Sequence, residues 1–157
     1  MILAPAMNAA GGYAAGEIVA KFTTTRTYRV MNVADAEAAV ENKILAPARN
    51  QGGPRGETCV TENAKHSKDF VGKRAQATGV PQATVEMTVD SSTFNKIKSD
   101  AIPQHGSRTI NNGASPMKNV YTTENLAGQP QNKINLHIKG PDNLANFNKI
   151  IKEIKNS

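Results

Sequence analysis

The sequence predicts an α+β domain in which a small mixed sheet has flanking helices. Residues 25–32 are rich in strand-forming types, and residues 82–90 and 133–140 alternate apolar and polar side chains with the period of a strand. Segments of helical composition lie between these runs, and no internal repeat is present. Strands separated by helices in this way indicate that a sheet and its helices share one domain.

Composition limits the kinds of protein that the chain can be. Its 157 residues fit one domain, because a chain of this size buries roughly 70% of its unfolded surface. A single cysteine, Cys59, cannot form an internal disulfide, and three dispersed histidines argue against a structural zinc site, so no metal is expected. The net charge of +6 favours an anionic partner such as nucleic acid, a phosphate-bearing cofactor or an acidic protein.

Residues 1–24 are interpreted as a linker or the tail of a carrier protein, and residues 25–157 as the folded domain. The opening segment is apolar, yet it lacks a basic start and is interrupted by Gly11, Gly12 and Glu17. These interruptions exclude an ordinary signal peptide and a membrane span within it.

The first predicted strand, TRTYRVMN at 25–32, carries Arg29 near its middle. Alternation puts Arg29 on one face with Thr27 and Met31, and Tyr28 on the other face. A permanently charged guanidinium in a half-apolar strand is either solvated or faces a cleft where it binds an anion.

A short helix should follow, capped by Asn32 or Asp35 and reaching about Lys43, and a Gly- and Pro-rich loop should follow that helix. The next strand runs through Cys59 and Thr61, and Asn63 can cap a second helix that ends at Gly79.

Residues 82–90 form the clearest strand, with alternate apolar residues at Val85, Met87 and Val89. A short helix follows at 91–102, and 103–132 is irregular except for a minor strand at 119–123. An irregular segment of this length is usually functional or disordered.

The last predicted strand, at 133–140, puts Asn135 and His137 on its polar face. The tail at 143–155 is predicted to be a helix, because its apolar residues fall at helical spacing. That apolar stripe is expected to pack in the core.

The order of these segments carries a family resemblance. A YRVM strand, an alanine-rich helix, a VTEN strand leading into a helix, a TVEMTV strand, a polar loop and an HIKG strand follow one another over 25–140. This order resembles the C-terminal toxin domains of Rhs-type polymorphic proteins that act as ADP-ribosyltransferases, a group that includes toxins modifying elongation factor Tu.

The resemblance implies an ADP-ribosyltransferase-like split sheet and NAD as the substrate. It implies transfer of ADP-ribose to a protein in a competitor cell, with elongation factor Tu as the candidate target, and thereby inhibition of translation. A secreted or delivered effector of this kind acts in the target-cell cytoplasm, has a cognate immunity protein and does not require a membrane.

The resemblance also implies roles for individual residues. Arg29 takes the place of the arginine that the first core strand supplies to the NAD cleft, with Tyr28 beside it. Thr61 takes the place of a hydroxyl that supports the nicotinamide end, and Glu62 is either a cofactor-binding residue or a helix cap. Where the family has a glutamate on its third strand, this sequence has Asn135 and His137.

The missing glutamate leaves other chemistry open. A carboxylate could come from Glu62, Glu86 or Glu124, or the mechanism could be a variant one. The alternative enzyme is a metal-independent ribonuclease that uses His137, Glu86 and Arg29 together with His66, although His66 is expected to be a solvated surface residue. A third interpretation is a basic, non-enzymatic domain in which Arg29 and the long loop bind a partner.

Overall fold

Eight strands and four helices make up the part of the chain that the structure, a computed structural model, describes: residues 23–47, 57–105, 108–109, 121–124 and 134–157. In chain order they are β1 (Thr24–Asn32), α1 (Val33–Asn42), β2 (Glu57–Thr61), α2 (Ala64–Thr78), β3 (Gln82–Asp90), α3 (Ser91–Asp100), β4 (Ile102–His105), β5 (Arg108–Thr109), β6 (Tyr121–Glu124), β7 (Asn135–Lys139), α4 (Gly140–Lys149) and β8 (Ile151–Asn156). The chain is therefore α+β, as the sequence predicts.

The strands form one sheet in the order β5-β4-β6-β7-β2-β1-β3-β8. The pairing of β4 with β6 is parallel, and the other neighbours are antiparallel, so the sheet is mixed. β1 pairs with β3 along nine residues, from Thr24 to Asn32. In contrast, β1 and β2 share a single register pair, Tyr28 with Thr61. We call the line between these two strands the seam.

The core lies on one face of the sheet. Val85, Met87 and Val89 are fully buried there, which confirms the apolar face predicted for this strand. Helices α1, α3 and α4 cover this face, and the rings of Phe94 and Phe147 meet edge to face at 6.5 Å between centroids. Helix α2 adds no residue to this cluster and lies against β1, β2 and β3 on the opposite face.

Helix α2 begins and ends as the sequence predicts. Asn63 caps it, because its side-chain Oδ1 accepts a hydrogen bond of 2.8 Å from the backbone N–H of His66. Gly79 ends it in the left-handed conformation, with φ of 70°. Local capping chemistry therefore fixes the length of the helix.

The prediction of a helix over 143–155 is wrong in its second half. The helix α4 ends at Lys149, and Ile151–Asn156 forms the strand β8, which pairs with β3 across a register shift at Thr88 and Val89. Isoleucine favours strands, and the open edge of β3 provides backbone hydrogen-bond partners for this segment. Ile154 is buried, so the predicted packing role of this stripe is confirmed.

Other predictions fall partly or wholly outside the described residues. The minor strand expected at 119–123 appears as β6, and β4 and β5 lie within a segment that was expected to be irregular. The rest of the loop at 103–132 and the linker assigned to residues 1–24, apart from Thr23 and Thr24, lie outside the described ranges. Within those ranges, no helix is both long and apolar enough to cross a membrane.

Candidate functional site

A cavity of about 720 Å³ lies along the seam. Every residue of β1 from Tyr28 to Asn32 lines it, as do Cys59, Val60 and Thr61 of β2. Since successive residues of a strand point to opposite faces, the cavity occupies the gap between the two strands rather than one face of the sheet. Its volume is within the range of small-molecule sites, roughly 300–1,000 Å³.

Three further elements form the walls of this cavity. Helix α2 supplies polar and aromatic side chains, β7 supplies Asn135 and His137, and α1 supplies Asp35. The α2 residues are His66, Ser67, Phe70 and Arg74.

The guanidinium of Arg29 bridges the seam. Its Nη1 donates a hydrogen bond of 2.8 Å to the carbonyl oxygen of Cys59. Burial lowers the pKa of Arg29 below its usual value, and the positive charge of Arg74 lowers that pKa further. An arginine nevertheless stays protonated in proteins, so the cavity contains a fixed cation.

The polar residues of β2 and β7 lie side by side at the cavity. Thr61 pairs with Asn135, and Cys59 pairs with His137, across the antiparallel ladder. The Sγ of Cys59 lies 3.2 Å from Nδ1 of His137. The hydroxyl of Thr61 accepts a hydrogen bond of 3.1 Å from the backbone N–H of Asn63, which holds it at the end of β2.

Glu62 does not belong to this set of lining residues. Its Oε2 accepts hydrogen bonds of 3.1 Å from Nζ of Lys98 and of 3.1 Å from the backbone N–H of Ile134. The helix cap that was considered for Glu62 is made by Asn63 instead. Glu62 therefore connects β2 to α3 and to the residue before β7, and its cofactor-binding role stays a prediction.

Asp35 is the one carboxylate among the described lining residues. Glu86, one of the three glutamates that the sequence offers as the missing carboxylate, lies outside the lining, 3.5 Å from Nζ of Lys155 and 3.9 Å from Nε of Arg26. The side chain of Glu124 lies outside the described part of the chain. Nowhere in that part do three histidine, cysteine or acidic side chains gather as metal ligands would.

The structure brings together five of the six site residues that the sequence suggested, Tyr28, Arg29, Thr61, Asn135 and His137. The sequence interpretation overlooked the contribution of α2. His66 was expected to be solvated, but it lines the cavity and stacks on Phe70 with 5.9 Å between ring centroids. The spacing of four residues from His66 to Phe70 and again to Arg74 was the available signal, since such residues share one helix face.

No protein-family model matches this chain, and no curated protein matches its sequence.

Proposed function

We propose that this chain is a toxin domain that transfers ADP-ribose from NAD to a protein, within an ADP-ribosyltransferase-like split sheet. The observation that carries the proposal is the position of Arg29, whose partly buried guanidinium lies at the seam in a cavity of about 720 Å³. A guanidinium offers a bidentate fork that matches the oxygens of a diphosphate.

The arrangement of the strands supports the same proposal. The strands β1, β2 and β7, which carry Arg29, Thr61 and His137, are adjacent in the sheet. The family resemblance implies that three core strands contribute residues to one site. The adjacency of β1, β2 and β7 agrees with that implication. The single register pair between β1 and β2 supports a split at the seam.

The reaction requires the bond between nicotinamide and C1′ of the ribose to break. Nicotinamide leaves with the electron pair, the ribose becomes cationic, and a nucleophile of the target protein attacks C1′ and loses its proton. Arg29 binds the diphosphate, while Tyr28 and Thr61 support the nicotinamide end. We assign to Asp35 the negative charge that stabilises the cation, because it is the one carboxylate among the described residues that line the cavity.

Asn135 and His137 complete the proposed ribose end of the site. An amide and an imidazole at these positions can orient a ribose hydroxyl by hydrogen bonding. Both residues lie directly across the ladder from β2, which fixes them relative to Thr61 and Cys59.

The target and the biological setting are part of the proposal. Elongation factor Tu is the candidate target, and a cognate immunity protein is the expected second partner of a domain with a net charge of +6. The domain would be delivered as an effector and act in the target-cell cytoplasm. The loop at 103–132, most of which lies outside the described residues, would contact the target or gate NAD.

Incubation with bacterial lysate and labelled NAD tests the proposal. The wild-type chain should label a protein band, and Arg29→Ala should reduce labelling by about 100-fold, because it removes a preorganised cation from the site. Arg26→Ala is the matched control, since Arg26 lies on the same strand with its side chain 71% exposed and does not line the cavity. Labelling by a folded Arg29→Ala variant at the wild-type level would contradict the proposal; circular dichroism checks the fold.

One observation favours a metal-independent ribonuclease as the second candidate. His66 and His137 both line the cavity, together with Arg29 and Arg74, so an acid, a base and phosphate-binding cations are available in one place. Incubation with total RNA, run in parallel, separates the candidates. Cut RNA without a labelled protein would support the ribonuclease, and neither product would support the non-enzymatic binding domain.

A further inference from the structure

We infer that the α2 wall of the cavity binds a nucleoside diphosphate, with Arg74 joining Arg29 on the phosphates and Phe70 stacking on the base. The inference rests on the proposed function in one respect, since a nucleoside diphosphate is one half of NAD. It assigns a second binding element, on a helix, that the resemblance does not provide.

The first observation is the stripe that α2 presents to the cavity. His66, Phe70 and Arg74 are spaced four residues apart, so they lie on one face of the helix and span about 12 Å along its axis. A row of this length that joins an aromatic pair to a cation matches the order of base and phosphates in a nucleotide.

The second observation is that two cations line one cavity. Among the described residues, neither Arg29 nor Arg74 forms an ion pair with a carboxylate; Arg29 donates to the carbonyl of Cys59, and Nε of Arg74 donates to Oε1 of Gln82 at 3.2 Å. The positive charge of Arg74 lowers the pKa of Arg29, whereas Cys59 and Asp35 raise it. A diphosphate between the two guanidiniums would offset the repulsion between their positive charges. Its oxygens would accept hydrogen bonds from several of their remaining N–H groups.

The third observation is the exposure of Phe70. It remains 38% exposed although it is a large apolar residue, and one neighbour of its ring is the imidazole of His66, which stacks on it with an angle of 21° between the planes. Aromatic side chains at a cavity provide a surface on which a base stacks, because every base has a flat π face. A stacked base would remove the Phe70 ring from water.

Binding of ADP and of inorganic pyrophosphate to the full chain, measured by calorimetry, tests the inference. Arg74→Gln should weaken both ligands by about tenfold or more, because it removes a charge-assisted contact to the phosphates. Lys73→Gln is the matched control, since Lys73 is exposed on the same helix, carries the same charge and does not line the cavity. Its effect should be less than about twofold, the size expected of a screened surface charge.

Phe70 requires a different comparison. Phe70→Ala should weaken ADP by about tenfold and leave pyrophosphate binding unchanged, because pyrophosphate has no base to stack. Phe70→Tyr keeps the ring and should bind ADP like the wild type.

The inference fails if the wild type binds neither ligand, if Arg74→Gln and Lys73→Gln have equal effects, or if Phe70→Ala weakens both ligands equally. An NAD cleavage assay separates this failure from that of the proposed function. Cleavage of NAD that is undiminished in Arg74→Gln and Phe70→Ala overturns the inference and keeps the transferase. If the variants change ADP and pyrophosphate binding as expected, but the chain neither cleaves NAD nor labels a protein, the inference stands and the proposed transferase function is overturned.

Discussion

Arg29 connects two strands that otherwise meet at one register pair. The hydrogen bond from its Nη1 to the carbonyl of Cys59 spans the seam and fixes the guanidinium at the cavity before any ligand is present. A side chain that is already fixed loses less conformational entropy when it binds an anion. The same contact therefore supports both the sheet and the proposed phosphate site.

Asp35→Asn tests the role assigned to the carboxylate at the cavity. We expect NAD cleavage to fall by about 100-fold, because an amide cannot neutralise the cationic ribose as nicotinamide leaves. Asp142→Asn is the control, since Asp142 likewise lies in the first turn of a helix, is exposed and does not line the cavity. Equal rates for the two variants, measured as nicotinamide release, would remove Asp35 from the mechanism.

Tyr121 should make stability depend on pH in the alkaline range. Its hydroxyl donates a hydrogen bond of 2.7 Å to the carbonyl of Asn143, and burial raises its pKa from 10.0 to about 12. The folded state thus keeps the proton after the unfolded state has lost it. The contribution of Tyr121 is therefore fully present below pH 10 and is lost as the pH rises towards about 12.

The measurement is the free energy of unfolding as a function of pH for the wild type and Tyr121→Phe. The wild type should lose more stability than the variant between about pH 10 and 12, because phenylalanine has no proton to lose. Parallel curves in that window would show that Tyr121 is not responsible.

Helix α2 offers a pair of glycine substitutions with opposite expected signs. Gly72 lies inside the helix with no atom within 4 Å of an added Cβ, so Gly72→Ala should stabilise the chain by about 0.5–1 kcal/mol. Gly79 has φ of 70°, so Gly79→Ala should destabilise it by about 1 kcal/mol. Urea denaturation measures both, and a shift of the same sign in the two variants would contradict the assigned helix end.

The strands were predictable from sequence where the spacing of apolar residues fits a strand and does not fit a helix. In β3 the alternation of Val85, Met87 and Val89 fits only a strand, and the structure buries all three. Near the C-terminus, the isoleucines at 150, 151 and 154 satisfy helical spacing, yet 151 and 154 also fit the edge strand β8 with its register shift. Pairing with β3 decides between them, and that partner is distant in sequence.

The same distinction applies to the site. Arg29, Asn135 and His137 stand out because each lies between two apolar or aromatic neighbours in a predicted strand. Phe70 and Arg74 lie on a helix whose sequence is polar on most sides, so the sequence pattern does not identify them as site residues. Their position at the cavity depends on how α2 packs against the sheet, which is a tertiary property.

Over the whole molecule, Glu62 connects parts that are far apart in the chain. Its side chain is 12% exposed and binds Lys98 of α3 and the backbone N–H of Ile134, 72 residues further along the chain. Glu62→Gln should destabilise the fold by about 1–3 kcal/mol, because the remaining amide weakens a partly buried charged contact. Glu153→Gln, at an exposed position of β8, should change stability by less than about 0.5 kcal/mol.

Chemical denaturation of both variants provides the measurement. A loss in Glu62→Gln no larger than in Glu153→Gln would show that the contact with Lys98 and Ile134 adds nothing to the fold. The NAD cleavage rate of the folded Glu62→Gln variant also reports whether Glu62 takes part in cofactor binding.

The seam has a consequence for local dynamics. Because β1 and β2 share one register pair, few main-chain hydrogen bonds must break for the two strands to separate there. Such a local fluctuation costs less free energy than global unfolding and leaves the long β1–β3 ladder intact. Separation of the two strands would widen the cavity between them, and a molecule held by both strands would damp that fluctuation.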